Sequence, residues 1–462
     1  MRRALCLAVG CLALAPAAAG ADVGAAGVGD PYFPREGNGG YDAQHYDLTL
    51  SYSPRTNRLV GRTLIQARAL IPLTRFDLDL KGMKVRGVTV DGQPATFHRA
   101  GQELQITPAS PLAAGAPFTV SVRYRGVPRT VTGSNILAGE PYGFVHTPDG
   151  QFVAAEPDAA STWFPCNDHP SDKAAFAFRV TVPRDRRVVA NGRLLSRSTH
   201  GGRATFVWAE DSPMATYLAT VDSGRWKIER GRTRGGIPVT VAVDPKLAGH
   251  RAVRYFFTTS ARAVDYEAKV FGRYPFGSTG AIVDNARYQG FPLGFSLETQ
   301  TRPVYSQIQD RLTIAHELAH QWFGDSVSVS RWSDIWLNEG FASFAEYLYL
   351  EHIGGQSAHR SFREDYRTPA TNPFWKLKIG DPKRAWMFDI AVYRRGAMTL
   401  QALREKIGDE KFFDILKTWT REHFHGNGTM KEFTALAERI SGQDLDAFFQ
   451  TWLYTAGKPT SW

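Results

Sequence analysis

The chain has 462 residues, of which 43% are hydrophobic, 22% charged and 12% aromatic, with 43 Gly and 26 Pro spread along it rather than gathered in repeats. That length and usage predict two or three globular domains with cores that need no disulfide staples, and exclude collagen, coiled-coil arrays and disorder. The 55 basic and 45 acidic residues leave a net +10, but no long run gathers that excess, so nothing points to nucleic acid.

Arg2 and Arg3 precede an apolar stretch from Ala4 to Ala15, followed by Pro16 and the small residues Ala17 to Ala21. Basic, apolar and small in that order predict a secretory signal over residues 1–21, cleaved after Ala19-Gly20-Ala21, and a secreted, extracellular or cell-envelope protein. A bilayer span takes about 20 apolar residues, so no stable membrane span is expected after cleavage. Losing Cys6 and Cys11 with the signal leaves Cys166 alone. With no internal disulfide, stability has to come from packing, any zinc has to be held by His and carboxylate side chains, and Cys166 is expected as a small buried residue.

Residues 22 to about 45, rich in Gly, read as a flexible leader and edge strand. From about His45 to Val221 apolar residues alternate, as in Tyr46/Leu48/Leu50/Tyr52, Phe118/Val120/Val122/Tyr124 and Phe176/Phe178/Val180/Val182, with turn signals such as Asp91-Gly92 between runs. That period predicts an antiparallel β domain, placed at residues 22–226. One more β-like run, Pro238 to Val243, leads into a helical stretch from about Arg251 to Val270, and helical periods dominate to the end. Residues 227–462 are therefore a second, mainly helical domain, and the fold class is α+β. The short basic run Arg230 to Arg234 reads as a solvated domain linker, and His423 and His425 beside Asn427-Gly428 read as a turn between helices.

The chemistry is carried by His316-Glu317-Leu318-Ala319-His320, on a helix expected to be capped by Asp310 and to run to Phe323. At 3.6 residues per turn both imidazoles lie on one face, one turn apart, with Glu317 beside them. Glu339 follows His320 after 18 intervening residues, on a helix expected to be capped by Ser333 or Asp334, to continue to about His352 and to stop at Gly354. Two His and one Glu leave a coordination position open, which is the pattern of one catalytic Zn2+ ion rather than a structural one. Zinc acidifies water, and Glu317 would take the remaining proton as that water attacks a carbonyl, so the reaction class is hydrolysis.

These residues, with Trp332, Asp334 and the run Asn338-Glu339-Gly340-Phe341-Ala342, resemble the catalytic core of the gluzincin aminopeptidases related to aminopeptidase N. Glu156-Pro157 and the run from Trp163 to Pro170 resemble the family's segment at the base of its N-terminal β domain, and Val392-Tyr393-Arg394-Arg395-Gly396-Ala397 resembles the stretch carrying its catalytic tyrosine. The resemblance implies a thermolysin-like zinc metallopeptidase domain and an aminopeptidase acting on peptides with a free N-terminus. It implies that Tyr393 hydrogen-bonds the tetrahedral oxyanion and that Glu298 and Glu156 grip the substrate's α-ammonium. It also implies that the peptide lies as an added strand beside Phe295 to Leu297.

Three departures, Phe295 for a glycine, Thr299 for an asparagine and Ala154 for a glutamine, leave the substrate preference open. The family's Gly-Ala-Met-Glu-Asn reads Phe295-Ser296-Leu297-Glu298-Thr299 here, with only Glu298 identical, and Ala154 stands where many members have glutamine. Relatives continue past Gly457-Lys458-Pro459 into a small β domain and a helical domain that closes over the site, so an open cleft, or closure by a partner or dimer, is expected. A secreted zinc endopeptidase would keep the zinc residues and Tyr393 but has no use for Glu298 and Glu156. A leukotriene-type epoxide hydrolase shares the scaffold, yet nothing here favours a lipid pocket. A non-catalytic scaffold would not need His316, Glu317, His320, Glu339 and Tyr393 together.

Overall fold

The computed structural model describes residues 22–461 apart from Ala138 and Ala248, and the expected signal at 1–21 lies outside the described residues. The alternating stretches form an eight-stranded sheet in the order Arg193–His200, Arg203–Met214, Ala174–Pro183, Tyr41–Ser53, Arg58–Ala69, Pro117–Gly126, Lys84–Val90 and Gln93–Pro94. Its inner face carries the apolar half of each alternation: Tyr46 packs on Phe164 and Phe176, and Tyr52 on Phe144. The strand Gly150–Ala154, beneath this face, belongs to a five-stranded sheet with Tyr142–Thr147 and Val221–Gly224, and it leads directly to Glu156. The domain is not wholly antiparallel, since Ala174–Pro183 runs parallel to Tyr41–Ser53 and Asp22–Val23 parallel to Leu73–Asp79. A period of two marks a strand's faces but not its direction, so the sequence pattern could not register this.

The second domain begins with a five-stranded sheet in the order Lys227–Arg232, Pro238–Val243, Thr279–Val283, Val304–Tyr305 and Ser296–Leu297. The basic run read as a linker is thus partly the edge strand Lys227–Arg232, paired with Pro238–Val243. Helices follow: α1 (Gly249–Phe271), α2 (Arg311–Ala319), α3 (Trp336–His352), α4 (Ala358–Tyr366), α5 (Ile390–Ile407), α6 (Asp409–Glu422), α7 (Met430–Ser441) and α8 (Asp446–Phe449). No described helix is long and apolar enough to cross a membrane. Cys166 is buried and free, as expected.

The leader is fixed rather than flexible. Asp30 is buried and accepts from the backbone N–H of Tyr32 at 2.7 Å and, in the second domain, of Trp332 at 2.8 Å. Its glycines permit close approach: a Cβ on Gly37 would stand 2.7 Å from His169 Cβ at a positive φ of 70°. Composition alone does not separate such a glycine from a loose one. Lys173 forms a second tie across the domains, its Nζ donating to the carbonyls of Asp325 at 2.7 Å, Ser326 at 2.9 Å and Gly426 at 3.2 Å. Burial pushes its ammonium down to about 7.

What brings the site together is the crossing of α3 and α5 at two glycines. A Cβ on Gly396 would lie 2.6 Å from Gly340 Cα, inside any tolerated contact. Gly396→Ala is expected to force the helices apart and lower stability by about 1–3 kcal/mol, the cost of overpacking. A thermal midpoint unchanged from the parent protein would contradict this.

Candidate active site

Asp310 caps α2, accepting from Leu312 N at 2.8 Å and Thr313 N at 2.9 Å. The helix ends at Ala319, short of the expected Phe323, because the chain tightens into 3₁₀-type turns, Gln321 N to Leu318 O and Trp322 N to Ala319 O, ahead of Gly324 at φ 134°. His320 keeps right-handed helical angles, so it still stands one turn from His316. Neither Ser333 nor Asp334 caps α3 with its side chain; a 3₁₀ turn over Trp332–Asp334 feeds the helix instead, and the Asp334 carboxylate accepts from Met430 N at 3.4 Å.

These helices place His316, His320 and Glu339 with ligand atoms within 4.8 Å of one another. His316 Nε2 and His320 Nε2 each stand 3.3 Å from Glu339 Oε2. On their other sides, His316 Nδ1 meets Glu346 Oε1 at 2.8 Å and His320 Nδ1 meets the Phe323 carbonyl at 3.0 Å. Both of these partners are acceptors, so each Nδ1 donates to them and each Nε2 is the nitrogen turned toward Glu339. Two imidazole nitrogens and a carboxylate oxygen thus converge, and that donor set fits a zinc ion with one position left open.

All seven residues singled out from the sequence line one cavity of about 110 Å³: Glu156, Glu298, His316, Glu317, His320, Glu339 and Tyr393, with Ala154, Phe295 and Ser296 in the same wall. Four carboxylates share it, and their electrostatics follow. Burial raises Glu339, but His320 and His316 outweigh it and hold the group down at about 2. Burial pushes Glu317 up to about 8 against the pull of the same histidines. Glu156 is held well above the usual carboxylate range by burial and then by Glu298. Glu298 itself is raised chiefly by burial, and its Oε1 accepts Tyr217 Oη at 3.3 Å. Glu156 Oε1 has no hydrogen-bond partner among the described residues.

Tyr393 sits in the first turn of α5, its ring stacked at 6.0 Å on His316. Arg395, two residues on, anchors that turn by donating to the carbonyls of Trp375, Leu377, Thr451, Trp452 and Thr455. Phe295 is half-buried against Phe152, and Thr299, in the asparagine position, closes a turn through Thr299 Oγ1 to Arg302 O at 2.7 Å.

Sequence reasoning missed Glu346, although it lies seven residues past Glu339, two turns along one face of α3, where the helical period could have flagged it. It missed Tyr217 for want of any local signal, since the β domain supplies it from 81 residues away. Glu346→Gln is expected to weaken zinc binding by about 10- to 100-fold, the usual effect of removing a ligand's hydrogen-bond partner. Competition with a chelator measures it, and an unchanged affinity would deny Glu346 that part.

Two profiles of one family match most of the sequence: the Peptidase M1 N-terminal domain over residues 42–218 and the Peptidase family M1 domain over residues 295–452. The chain belongs to peptidase family M1. This M1 chain is 28% identical to aminopeptidase N of Lactococcus lactis over 447 residues, which is 90% of this chain and 51% of that protein. It is 25% identical to glutamyl aminopeptidase of Bitis rhinoceros over 455 residues, 90% of this chain and 46% of that protein. It therefore spans about half the length of these curated relatives. It superposes on the crystal structure of the M1 zinc metallopeptidase from Deinococcus radiodurans with a TM-score of 0.85 at 28% identity, covering 94% of this chain and 97% of that one. A variant of that M1 enzyme bound to a Tyr-Ser-Ala substrate gives 0.85 at 28%, covering 94% and 98%. The family, the α+β architecture and the zinc cofactor expected from the M1-like motifs are all borne out.

Proposed function

We propose that the protein is a zinc-dependent aminopeptidase that hydrolyses the N-terminal bond of peptides, acting outside the cytoplasm as the order of residues 2–21 suggests. The observation that carries this reading is the pair Glu156 and Glu298, two buried carboxylates with no Lys or Arg ion pair among the described residues, facing the His316–His320–Glu339 group across one small cavity. Uncompensated buried carboxylates are costly, and a substrate ammonium offsets that cost where a blocked N-terminus cannot. The strand Ser296–Leu297 lies at the edge of its sheet with no partner on its free side among the described residues, which suits a peptide added as a further strand. The Tyr-Ser-Ala substrate bound by the M1 neighbour supports the same class of ligand.

His316, His320 and Glu339 would hold the ion. When bound, zinc supplies Lewis-acid polarisation of the scissile carbonyl and acidifies water. Glu317 accepts the proton of the attacking water and returns it to the departing amine. Tyr393 donates its hydroxyl proton in a hydrogen bond to the oxyanion as the carbonyl becomes tetrahedral. Glu298 and Glu156 fix the α-ammonium, so that the first peptide bond is the one presented to Glu317 and Tyr393.

A panel of aminoacyl chromogenic amides, each free and N-acetylated, with and without chelator, tests the reading. Cleavage confined to free amines and abolished by chelator is expected; equal cleavage of acetylated substrates would instead mark an endopeptidase, and no hydrolysis with zinc bound a scaffold. Tyr393→Phe is expected to cut kcat by about 10²–10³-fold with KM little changed, the loss typical of one oxyanion donor. A change confined to KM would remove Tyr393 from that role.

A further inference from the structure

The basic excess that no sequence run gathers is gathered by the eight-stranded sheet. On the strand Arg58–Ala69, Arg62 is exposed between buried Gly61 and Thr63; on Pro117–Gly126, Arg123 and Arg125 are exposed on either side of buried Tyr124. Arg179 is exposed on Ala174–Pro183, and Lys84 and Arg86 on Lys84–Val90. A period of two separates these cations along the chain and stacks them across it. Arg62 stands directly opposite Arg123, and Arg125 opposite Lys84. Thr49, the other neighbour of Arg62, faces Arg179. At about 4.8 Å per strand, the patch reaches about 20 Å from Lys84–Val90 to Ala174–Pro183.

None of these six cations forms an ion pair among the described residues. Asp47, one row along the same face, accepts Thr49 Oγ1 at 3.4 Å instead. A groove of about 520 Å³ opens among Arg62, Arg86, Arg123 and Arg125, edged by the hydroxyls of Ser51 and Thr181. Gly87 leaves room for one of them: Arg123 Nη2 stands 2.8 Å from where a Cβ on Gly87 would be. Like charges directly opposed across a ladder destabilise it, so the fold carries a cost here that an anionic partner would remove. The catalytic reading has no use for the patch, because the opposite face of the same strands packs through Tyr46 and Tyr52 onto the layer that leads to Glu156.

We propose that this face docks the protein on the phosphate-rich surface of an anionic lipid bilayer, leaving the active-site cavity free on the other side. Planar guanidinium forks match phosphate oxygens. The cations spread in two dimensions over four strands, which suits a surface rather than a single polymer strand. No exposed aromatic ring lines the groove, whose one aromatic, Tyr124, is buried, so the stacking platform that single-stranded nucleic acid uses is missing. Attraction of this kind adds up over basic residues and fades within a Debye length, so salt should reverse it.

Co-sedimentation of the protein with vesicles of phosphatidylglycerol and phosphatidylcholine, and with vesicles of phosphatidylcholine alone, tests this. Binding to the acidic vesicles only, reversed by molar salt, is expected, with R62Q/R123Q/R125Q lowering the affinity by about tenfold or more and leaving peptidase activity unchanged. Arg179→Gln, on a separate strand, should weaken binding in the same direction by a smaller factor and guards against misfolding of the triple variant. Arg123→Gln should also raise the thermal midpoint at low salt by removing the opposed cation. Equal binding to neutral vesicles, no binding to either, or tighter binding to duplex DNA than to acidic vesicles would overturn the proposal. So would retention by the triple variant together with release by R251Q/R262Q, two arginines that line a separate groove beside α1 with Arg254 and Arg311.

Discussion

Glu317→Gln is expected to lower kcat by about 10²–10⁴-fold, or about 2.7–5.5 kcal/mol, while zinc content stays at one ion per chain. The two readouts are needed together because the cavity offers two groupings of ligand atoms within 4.8 Å, His316–His320–Glu339 and Glu298–Glu317–His320. In the first, Glu317 is a base beside the ion; in the second it is a ligand, and its amide would release the metal. The first grouping is favoured by the orientation of the rings: Glu346 and the Phe323 carbonyl engage both Nδ1 atoms, so both Nε2 atoms face Glu339. Glutamine keeps the volume and polarity of Glu317 but cannot serve as the base. Zinc retained with more than about a tenth of parental activity would exclude the base role, since general-base catalysis is worth at least 10²-fold. Zinc lost in proportion to activity would move Glu317 into the ligand set.

How far the sequence reached depended on whether a signal was local. The spacing within His316-Glu317-Leu318-Ala319-His320 is a property of one helical turn, so the alignment of its imidazoles could be read directly. Glu339 needed only the assumption that a second helix returns, and α3 does so. The role of Gly340 and Gly396 was invisible even though both stand in quoted motifs, because each is explained only by the other across the crossing of α3 and α5. The leader was misread for a related reason: Gly27 and Gly37 look like slack in composition, whereas a Cβ on Gly27 would stand 2.3 Å from Pro34 O. The basic sheet face escaped because alternation hides clustering along the chain, and only strand register brings Arg62 to Arg123. Contacts such as Tyr217 with Glu298 or Lys173 with Asp325 join distant segments and have no sequence period to betray them.

Glu298→Gln is expected to lower kcat/KM for free aminoacyl amides by about 30- to 4,000-fold, the 2–5 kcal/mol range for truncating a buried, hydrogen-bonded charge pair. The carboxylate is 2% exposed and raised by burial against the pull of His320 and His316, so a substrate cation favours its anionic form further. Glu156, whose Oε1 has no hydrogen-bond partner among the described residues, depends on that cation more, since burial together with Glu298 raises it. With substrate bound, one ammonium between two carboxylates relieves both; without it, each penalises the other. The amide at 298 keeps the Tyr217 contact and removes only the charge, so N-acetylated substrates, which never engage it, should lose little of whatever slow turnover they show. The ratio of free to acetylated cleavage is therefore the quantity that isolates the role, and it should fall in Glu298→Gln and fall again in the double variant with Glu156→Gln. Equal losses on both substrate series would assign Glu298 to the architecture of the Ser296–Leu297 edge and leave recognition of the N-terminus to other groups in the cavity.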